Sequence, residues 1–142
     1  MIVHYLDASV LVPAFVTEAQ SATVSEWLSN LPTAAEISDF AAGEFASAIA
    51  RRVRMAQLTA AAANRLLADF DAWRMVMSQA RNIDSADIAA ATDLVRRFEL
   101  KLRLPDAIHL ALCHRRGFTL ATLDDGLADA ANALGVAHIC PA

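Results

Sequence analysis

The chain has 142 residues, 56% of them hydrophobic and 20% charged, and a formal net charge of −4 at pH 7. Because this length suits one domain with a buried core, we predict a single domain over residues 1–142. The negative charge argues against a protein that holds nucleic acid by general electrostatic attraction. No apolar run reaches the ~20 residues of a membrane-spanning helix, and the N-terminus lacks the basic leader of a secretory signal, so we expect a cytoplasmic protein with reduced cysteines and no membrane partner.

The first half of the chain predicts two short strands separated and followed by helices. Ile2–Leu6 is short and mostly apolar, as expected of a buried strand that stops at Asp7. Capping and turn residues then mark the boundaries of the elements that follow. We predict a short helix from Ser9, a helix from Thr17 to about Ser29, a strand Glu36–Ser38, a helix Phe40–Met55 capped by Asp39 or Ser38, and a helix from Thr59 to about Gln79 whose apolar stripe is Leu66, Leu67, Phe70, Trp73 and Val76.

The second half of the chain alternates predicted helices with predicted strands. Asp84 or Ser85 begins a helix whose apolar stripe is Ile88, Ala91, Thr92, Val95 and Phe98. Pro105 suits a first helical turn, and the remaining elements are a helix Asp106–Arg116 ended by Gly117, a strand Phe118–Ala121, a helix from Asp124 to about Leu134 ended by Gly135, and a strand Val136–Ile139. Short apolar strands that alternate with helices are typical of an α/β fold with a mostly parallel sheet.

Four acidic residues lie where predicted strands end or predicted helices begin. Asp7 follows the first strand, and Asp124 follows the strand Phe118–Ala121. Glu44 lies one turn into its helix, and Asp106 lies in the first turn of its own. Open α/β sheets place their sites at this edge, and because converging carboxylates repel one another, a divalent cation such as Mg²⁺ or Mn²⁺ would stabilise them. Spacing alone leaves open whether the four acids form one site or cap helices.

Four stretches surround the acids: YLDASVLV (Tyr5–Val12), SDFAAGEFASAIAR (Ser38–Arg51), LPDAIHLALC (Leu104–Cys113) and LATLDDGLADAA (Leu120–Ala131). These stretches resemble the PIN-domain family, in particular the VapC toxins of bacterial toxin–antitoxin pairs. They occur in the order and at the separations of that family, and the resemblance covers essentially the whole chain. The resemblance implies a PIN-like α/β/α sandwich with a central, mostly parallel sheet flanked by helices.

The resemblance also implies a function. Relatives of this kind are Mg²⁺- or Mn²⁺-dependent ribonucleases, usually endonucleases, which hydrolyse RNA phosphodiesters with a metal-activated water and are held inactive by a cognate VapB-like antitoxin. The metal-binding and catalytic residues that match are Asp7, Glu44, Asp106 and Asp124. Ser9 and Thr122 match hydroxyl residues that support the ligands, and Asp125 is a candidate outer-sphere ligand. A cation in the cleft would bring the positive charge that an acidic protein needs to handle RNA.

Other polar residues fit either a structural or a functional role. Asp39 stands where relatives often carry an uncharged hydroxyl residue, and we interpret it as a helix cap. His109 lies one turn from Asp106 on the same side of the helix; we favour a packed interior histidine over a bonding partner of a ligand carboxylate. Three arginines lie at the end of the predicted helix that carries Glu44: Arg51, Arg52 and Arg54. Their positive charges either interact favourably with the helix dipole or form a track for the RNA backbone.

Partners and competing functions follow from composition and from the placement of charges. The apolar excess predicts a homodimer whose surface also accepts the antitoxin. A receiver-type signalling domain would need paired acids after the first strand and a late lysine, whereas the paired acids Asp124 and Asp125 come late and the only lysine, Lys101, falls in a predicted helical segment. A PIN-like module that binds RNA or protein without cutting is the other alternative.

Overall fold

The computed structural model describes residues 1–78 and 82–142. Within these residues the chain forms seven α-helices, one 3₁₀ turn and three strands. The elements are β1 His4–Leu6, α1 Ala8–Phe15, α2 Ser21–Ser29, α3 Asp39–Arg54, α4 Ala60–Met77, α5 Ser85–Val95, a 3₁₀ turn Phe98–Leu100, α6 Leu104–Arg116, β2 Thr119–Ala121, α7 Asp125–Leu134 and β3 His138–Ile139. The predicted helix end at Gln79 lies outside the described residues.

The three strands form a single parallel sheet in the order β1–β2–β3. In its register, Tyr5 lies beside Leu120 and Leu6 lies beside Ala121. Because side chains alternate across a sheet, Tyr5 and Leu120 face one side, whereas Leu6 and Ala121 face the other. The parallel arrangement confirms the predicted sheet and brings the carboxyl ends of the strands to one edge.

Each face of the sheet is covered by its own set of helices. Tyr5 and Leu120 belong to an apolar cluster built with buried residues of α5, α6 and α7. Leu6 and Ala121 belong to a second cluster, built with buried residues of α1, α2, α3 and α4. The sheet is therefore the middle layer of an α/β/α sandwich, as predicted.

The predicted strand Glu36–Ser38 is wrong. Among the described residues of this segment, Glu36 alone bridges to the sheet, in parallel with Tyr5. Ser38 already serves as the N-cap of α3, accepting a hydrogen bond from the backbone N–H of Ala41 at 3.0 Å. The segment therefore turns into a helix before a strand can extend past a single bridge.

Capping residues explain most of the helix boundaries. The cap predicted at Thr59 is confirmed, and Asp84 and Asp124, predicted as helix starts, are also caps; each side chain accepts from a backbone N–H of the following turn. Gly117 and Gly135 end α6 and α7 with φ of 70° and 71°, a conformation that glycine adopts without the strain of a Cβ. Asp39 is not a cap, which is a correction: it lies in the first turn of α3 and forms an ion pair with Arg74 at 2.8 Å.

Parts of the predicted apolar stripes are exposed. Val76, in the last turn of α4, and Phe98, beyond the end of α5, are each 84% exposed. Ile88 and Thr92 of α5 are also exposed, because α5 turns Asp87 and Ala91 into the interior. Lys101 lies outside any α-helix, at the end of the 3₁₀ turn with φ of 54°.

Two further boundaries differ from prediction. The helix expected from Thr17 begins at Ser21, because the Ser21 hydroxyl accepts from the backbone N–H of Glu18 and donates to the carbonyl of Val16, which closes a turn. The first and last strands are shorter than predicted, starting at His4 and His138. Throughout the part of the chain that the structure describes, no helix is both long and apolar enough to cross a membrane.

Candidate metal centre

Asp7 is the buried centre of the acidic site. It follows β1, caps α1 by accepting from the backbone N–H of Val10 at 3.3 Å, and is 4% exposed. The Ser9 hydroxyl donates to its Oδ1 at 2.6 Å, and the Thr122 hydroxyl donates to its Oδ2 at 2.6 Å. Burial raises the pKa of Asp7, and the hydrogen bonds from Ser9 and Thr122 oppose that rise by stabilising the charged carboxylate.

The same two hydroxyls connect Asp7 to the turn that carries Asp124. Thr122 Oγ1 accepts from the backbone N–H of Asp124 at 3.0 Å, and Ser9 Oγ accepts from the backbone N–H of Leu123 at 2.8 Å. Asp124 caps α7 through its Oδ1, which accepts from the backbone N–H of Leu127 at 3.1 Å, and the side chain is exposed. The turns after β1 and β2 are therefore held together, as their place at one edge of the parallel sheet requires.

Asp106 and Glu44 complete the group from the flanking helices. Asp106 is half-buried in the first turn of α6. Burial raises the pKa of Asp106, and the negative charge of Asp124 raises it further, with smaller contributions from Glu44 and Asp7. The charges of Asp7, Glu44 and Asp124 thus all act on Asp106, so the structure brings the four predicted acids into one region.

Glu44 contacts His109, which the sequence predicts as a packed interior residue rather than as a partner of a ligand carboxylate. The Oε1 atom of Glu44 lies 2.5 Å from Nε2 of His109, whose side chain is almost fully buried. His109 is thus both a packed interior residue and a bonding partner of a candidate ligand. Its Nδ1 lies 2.6 Å from the hydroxyl of Tyr5, which in turn lies 2.7 Å from Ser38 Oγ.

Sequence reasoning missed Tyr5 and Ser38 as members of this network. A tyrosine in the middle of a buried strand was the available signal, because a buried hydroxyl almost always has a hydrogen-bond partner. Burial raises the pKa of Tyr5 well above its usual value, so that its hydroxyl stays protonated and can donate.

The donor set fits a hard divalent cation. All four acids offer oxygen ligands, and the mutual repulsion that raises the pKa of Asp106 is the penalty that a cation removes. Within residues 1–78 and 82–142, however, no three acidic, histidine or cysteine side chains already enclose a metal position. Mg²⁺ suits such an open arrangement, because it usually keeps several waters and takes only one or two carboxylates.

The other predicted residues occupy less central positions. Asp125 is exposed in the first turn of α7. Arg51 and Arg54 are exposed in the last turn of α3, whereas Arg52 forms an ion pair with Glu18 at 2.5 Å. With Ser9, the Arg52–Glu18 pair lines a surface cavity of about 420 Å³, so Arg52 is the arginine of this group that borders the site.

Comparison with known proteins agrees with this geometry. Residues 4–133 match the family described as the PIN domain, and the chain therefore belongs to the PIN domain family. Comparison with curated protein sequences gave no match.

Several solved structures share the fold over nearly the whole chain. The toxin VapC20 of Mycobacterium tuberculosis, described as cleaving the sarcin–ricin loop, is 19% identical with a TM-score of 0.73, over 89% of this chain and 94% of its own. FitAcB of Neisseria gonorrhoeae is 19% identical with a TM-score of 0.75, over 97% of both chains. VapBC2 of Rickettsia felis, bound to a DNA fragment from its promoter, is 12% identical with a TM-score of 0.73, over 98% of both chains. At these identities the likeness establishes a common fold.

Proposed function

We propose that this PIN domain is a Mg²⁺- or Mn²⁺-dependent endoribonuclease and acts as the toxin of a toxin–antitoxin pair. The observation that carries the proposal is the environment of Asp7. Both oxygens of this buried carboxylate are held by hydroxyls, and among the described residues no arginine or lysine forms an ion pair with it. The charges of Asp7, Glu44 and Asp124 all raise the pKa of the neighbouring Asp106. Such a concentration of negative charge suits a metal-dependent reaction on a phosphodiester.

Each acid has a role that its position allows. The residues that would hold the ion are Asp7, Glu44, Asp106 and Asp124; when bound, a divalent ion supplies Lewis acidity to a phosphoryl oxygen and lowers the pKa of a coordinated water. Ser9 and Thr122 keep Asp7 oriented and favour its charged form. Asp124 is exposed and its Oδ1 is engaged by the helix cap, so we assign its Oδ2 as the oxygen that would face the ion and orient the attacking water. Asp125, one residue further, would hold outer-sphere water.

The RNA backbone would reach these acids along the end of α3. Arg52 borders the cavity next to Ser9, and the exposed Arg51 and Arg54 extend the positive charge away from it. Cations placed in this way contact phosphates and orient a strand without reading its sequence. The assignment of these three arginines to RNA binding is part of the proposal.

A cleavage assay on structured RNAs tests the function. The wild type should cut with Mn²⁺ or Mg²⁺ and stop when EDTA is added, and Asp7→Asn should lower the cleavage rate by roughly 10³-fold, since a metal site contributes several kcal/mol to such a reaction. Asp93→Asn, an exposed acid of α5, is the matched control and should cut like the wild type. Binding of RNA without any cleavage would favour a non-cleaving PIN-like module instead.

Partners and location are further parts of the proposal. We expect a cytoplasmic protein that binds a VapB-like antitoxin and forms a homodimer. The exposure of large apolar side chains supports a covered surface, with Met75, Val76 and Phe98 each 84% exposed. Light scattering at micromolar concentration should give the mass of a dimer; the mass of a single chain would remove the homodimer from the proposal.

A further inference from the structure

A chain of hydrogen bonds leads to Glu44 from Ser38, the residue that caps the same helix. It runs from Ser38, the N-cap of α3, through Tyr5 of β1 to His109 of α6, and ends at Glu44 Oε1. Tyr5 is 1% exposed and His109 is 2% exposed, so the bonds that Tyr5 makes to Ser38 and His109 are shielded from water, whereas the Glu44 side chain is 31% exposed. Three elements of the fold are thereby connected to one candidate ligand.

Counting donors and acceptors gives this chain a direction. Ser38 Oγ accepts from the backbone N–H of Ala41, its hydroxyl donates to Tyr5, Tyr5 donates to Nδ1 of His109, and the Nε2–H of His109 donates to Glu44. Every donor of the chain is then used. In the reverse direction the hydroxyl proton of Ser38 would have no acceptor within this set of described residues, and buried donors are rarely left unpaired.

Packing fixes the imidazole ring in the same position. Its centroid lies 5.5 Å from that of Tyr5 and 5.4 Å from that of Phe40, so an aromatic ring lies near it from β1 and from α3. A ring held by neighbouring aromatics and by a bond at each nitrogen has little freedom to rotate. The direction of its Nε2–H is therefore set by the fold.

We infer that His109 is a positioning residue for Glu44, held in its Nε2–H tautomer by Tyr5 and Ser38. The bond to Oε1 fixes the carboxylate and leaves Oε2 to face a divalent cation. This inference rests on the proposed function, because it assumes that Glu44 is a ligand. Partners that orient metal ligands in this way typically change metal affinity or activity by about 10- to 100-fold when they are removed.

Calorimetric titration with MnCl₂ tests the inference without relying on cleavage. His109→Leu removes the donor and should raise the Kd for Mn²⁺ by about tenfold or more. His109→Gln places an amide N–H near the position of Nε2 and should restore the Kd to within about threefold of the wild type. His114→Leu, at an exposed histidine of the same helix, is the matched control and should leave the Kd unchanged.

A second variant covers the case in which His109→Leu fails to fold. Tyr5→Phe keeps the ring and removes the hydroxyl, so His109 loses the donor that sets its tautomer, and the Kd for Mn²⁺ should rise by about threefold. Long-range ¹H–¹⁵N spectra of the wild-type imidazole should show the Nε2–H tautomer, and Tyr5→Phe should introduce the Nδ1–H form.

The outcomes separate the two proposals. A wild type that binds no Mn²⁺ would overturn the proposed function and this inference with it. A wild type that binds Mn²⁺, together with folded His109→Leu or Tyr5→Phe proteins of the same affinity, would overturn the inference alone. An Nδ1–H tautomer in the wild type would also overturn it, because Glu44 would then lack its donor.

Discussion

Two buried carboxylates in this molecule have opposite kinds of partners. Asp87 of α5 is fully buried, and its oxygens pair with the guanidinium groups of Arg115 and Arg116 from the end of α6. Asp7 is nearly as buried, yet its oxygens meet two hydroxyls and a backbone N–H. Asp87 has its compensating charge within the fold, whereas no arginine or lysine among residues 1–78 and 82–142 pairs with Asp7.

The difference separates a structural acid from a functional one. A buried ion costs several kcal/mol of desolvation free energy unless it is paired. At Asp87 the two arginines offset this cost, and the ion pairs also join α5 to α6. At Asp7 the hydroxyls stabilise the charge only in part, since burial still raises the pKa of this carboxyl. The uncompensated charge lies at the carboxyl edge of the sheet, where a cation from solution would supply what the arginines supply elsewhere.

The largest test of this comparison exchanges each acid for its amide. Asp87→Asn should lower the free energy of unfolding by about 2 kcal/mol, because it breaks charged hydrogen bonds to two arginines. Asp7→Asn should change it by less than about 1 kcal/mol, since the amide keeps part of the hydrogen bonding and removes a buried charge. Urea denaturation monitored by circular dichroism measures both values, in EDTA. Equal destabilisation by the two variants would contradict the distinction.

The metal itself gives the next largest effect. Mn²⁺ at ten times its Kd should stabilise the wild type by about 1.4 kcal/mol, as expected for a ligand that binds only the folded state. Asp7→Asn should lose most of this increment, whereas Asp87→Asn should keep it. Thermal melts with MnCl₂ and with EDTA measure the increment. If Asp87→Asn lost it as well, the two carboxylates would not be functionally separate.

The same comparison shows how far the sequence could predict the site. The strand-then-acid pattern at Asp7 and Asp124 depends on local order along the chain, so the sequence placed both correctly at the ends of β1 and β2. The bond between His109 and Glu44 joins residues 65 positions apart, and no local pattern encodes such a distance. The ion cluster at Asp87 is not evident from the sequence for a related reason, since Arg115 and Arg116 lie 28 and 29 positions away and reach Asp87 only when α5 packs against α6.

Errors in the predicted fold have the same origin. Ser38 fits both the end of a strand and the cap of a helix, and only the packing of α3 shows that it is the cap. The α5 stripe was misplaced because Asp87, a charged residue, lies inside while Ile88 lies outside. Hydrophobic periodicity assumes that charges face water, and it fails where a charge is paired in the interior. The single domain over residues 1–142 stays a prediction.

A smaller effect, on RNA binding, is expected from the three arginines at the end of α3. Replacing the group at the end of α3 should weaken RNA binding about fivefold at low salt and flatten its salt dependence, because fewer counterions are released. The variant is Arg51→Ala, Arg52→Ala and Arg54→Ala combined. The matched control removes three exposed arginines elsewhere: Arg65→Ala, Arg96→Ala and Arg97→Ala combined. Fluorescence anisotropy with a labelled RNA measures both, and equal losses would point to general electrostatics rather than to a track beside Asp7.

The smallest effect is a pH dependence of stability that Mn²⁺ should remove. Because burial raises the pKa of Asp7 above 3.8, the ordinary value for an aspartate, the folded state binds its proton more tightly than the unfolded state does. In EDTA, the unfolding free energy of the wild type relative to Asp7→Asn should therefore fall as pH rises from 3.8 through the raised pKa, and stay level above it. With saturating Mn²⁺ the cation favours the ionised carboxylate and opposes the rise in the pKa of Asp7, so this fall with pH should shrink or disappear. Urea titrations across this range measure the slope with EDTA and with Mn²⁺, and an unchanged slope in Mn²⁺ would mean that Asp7 does not bind the ion.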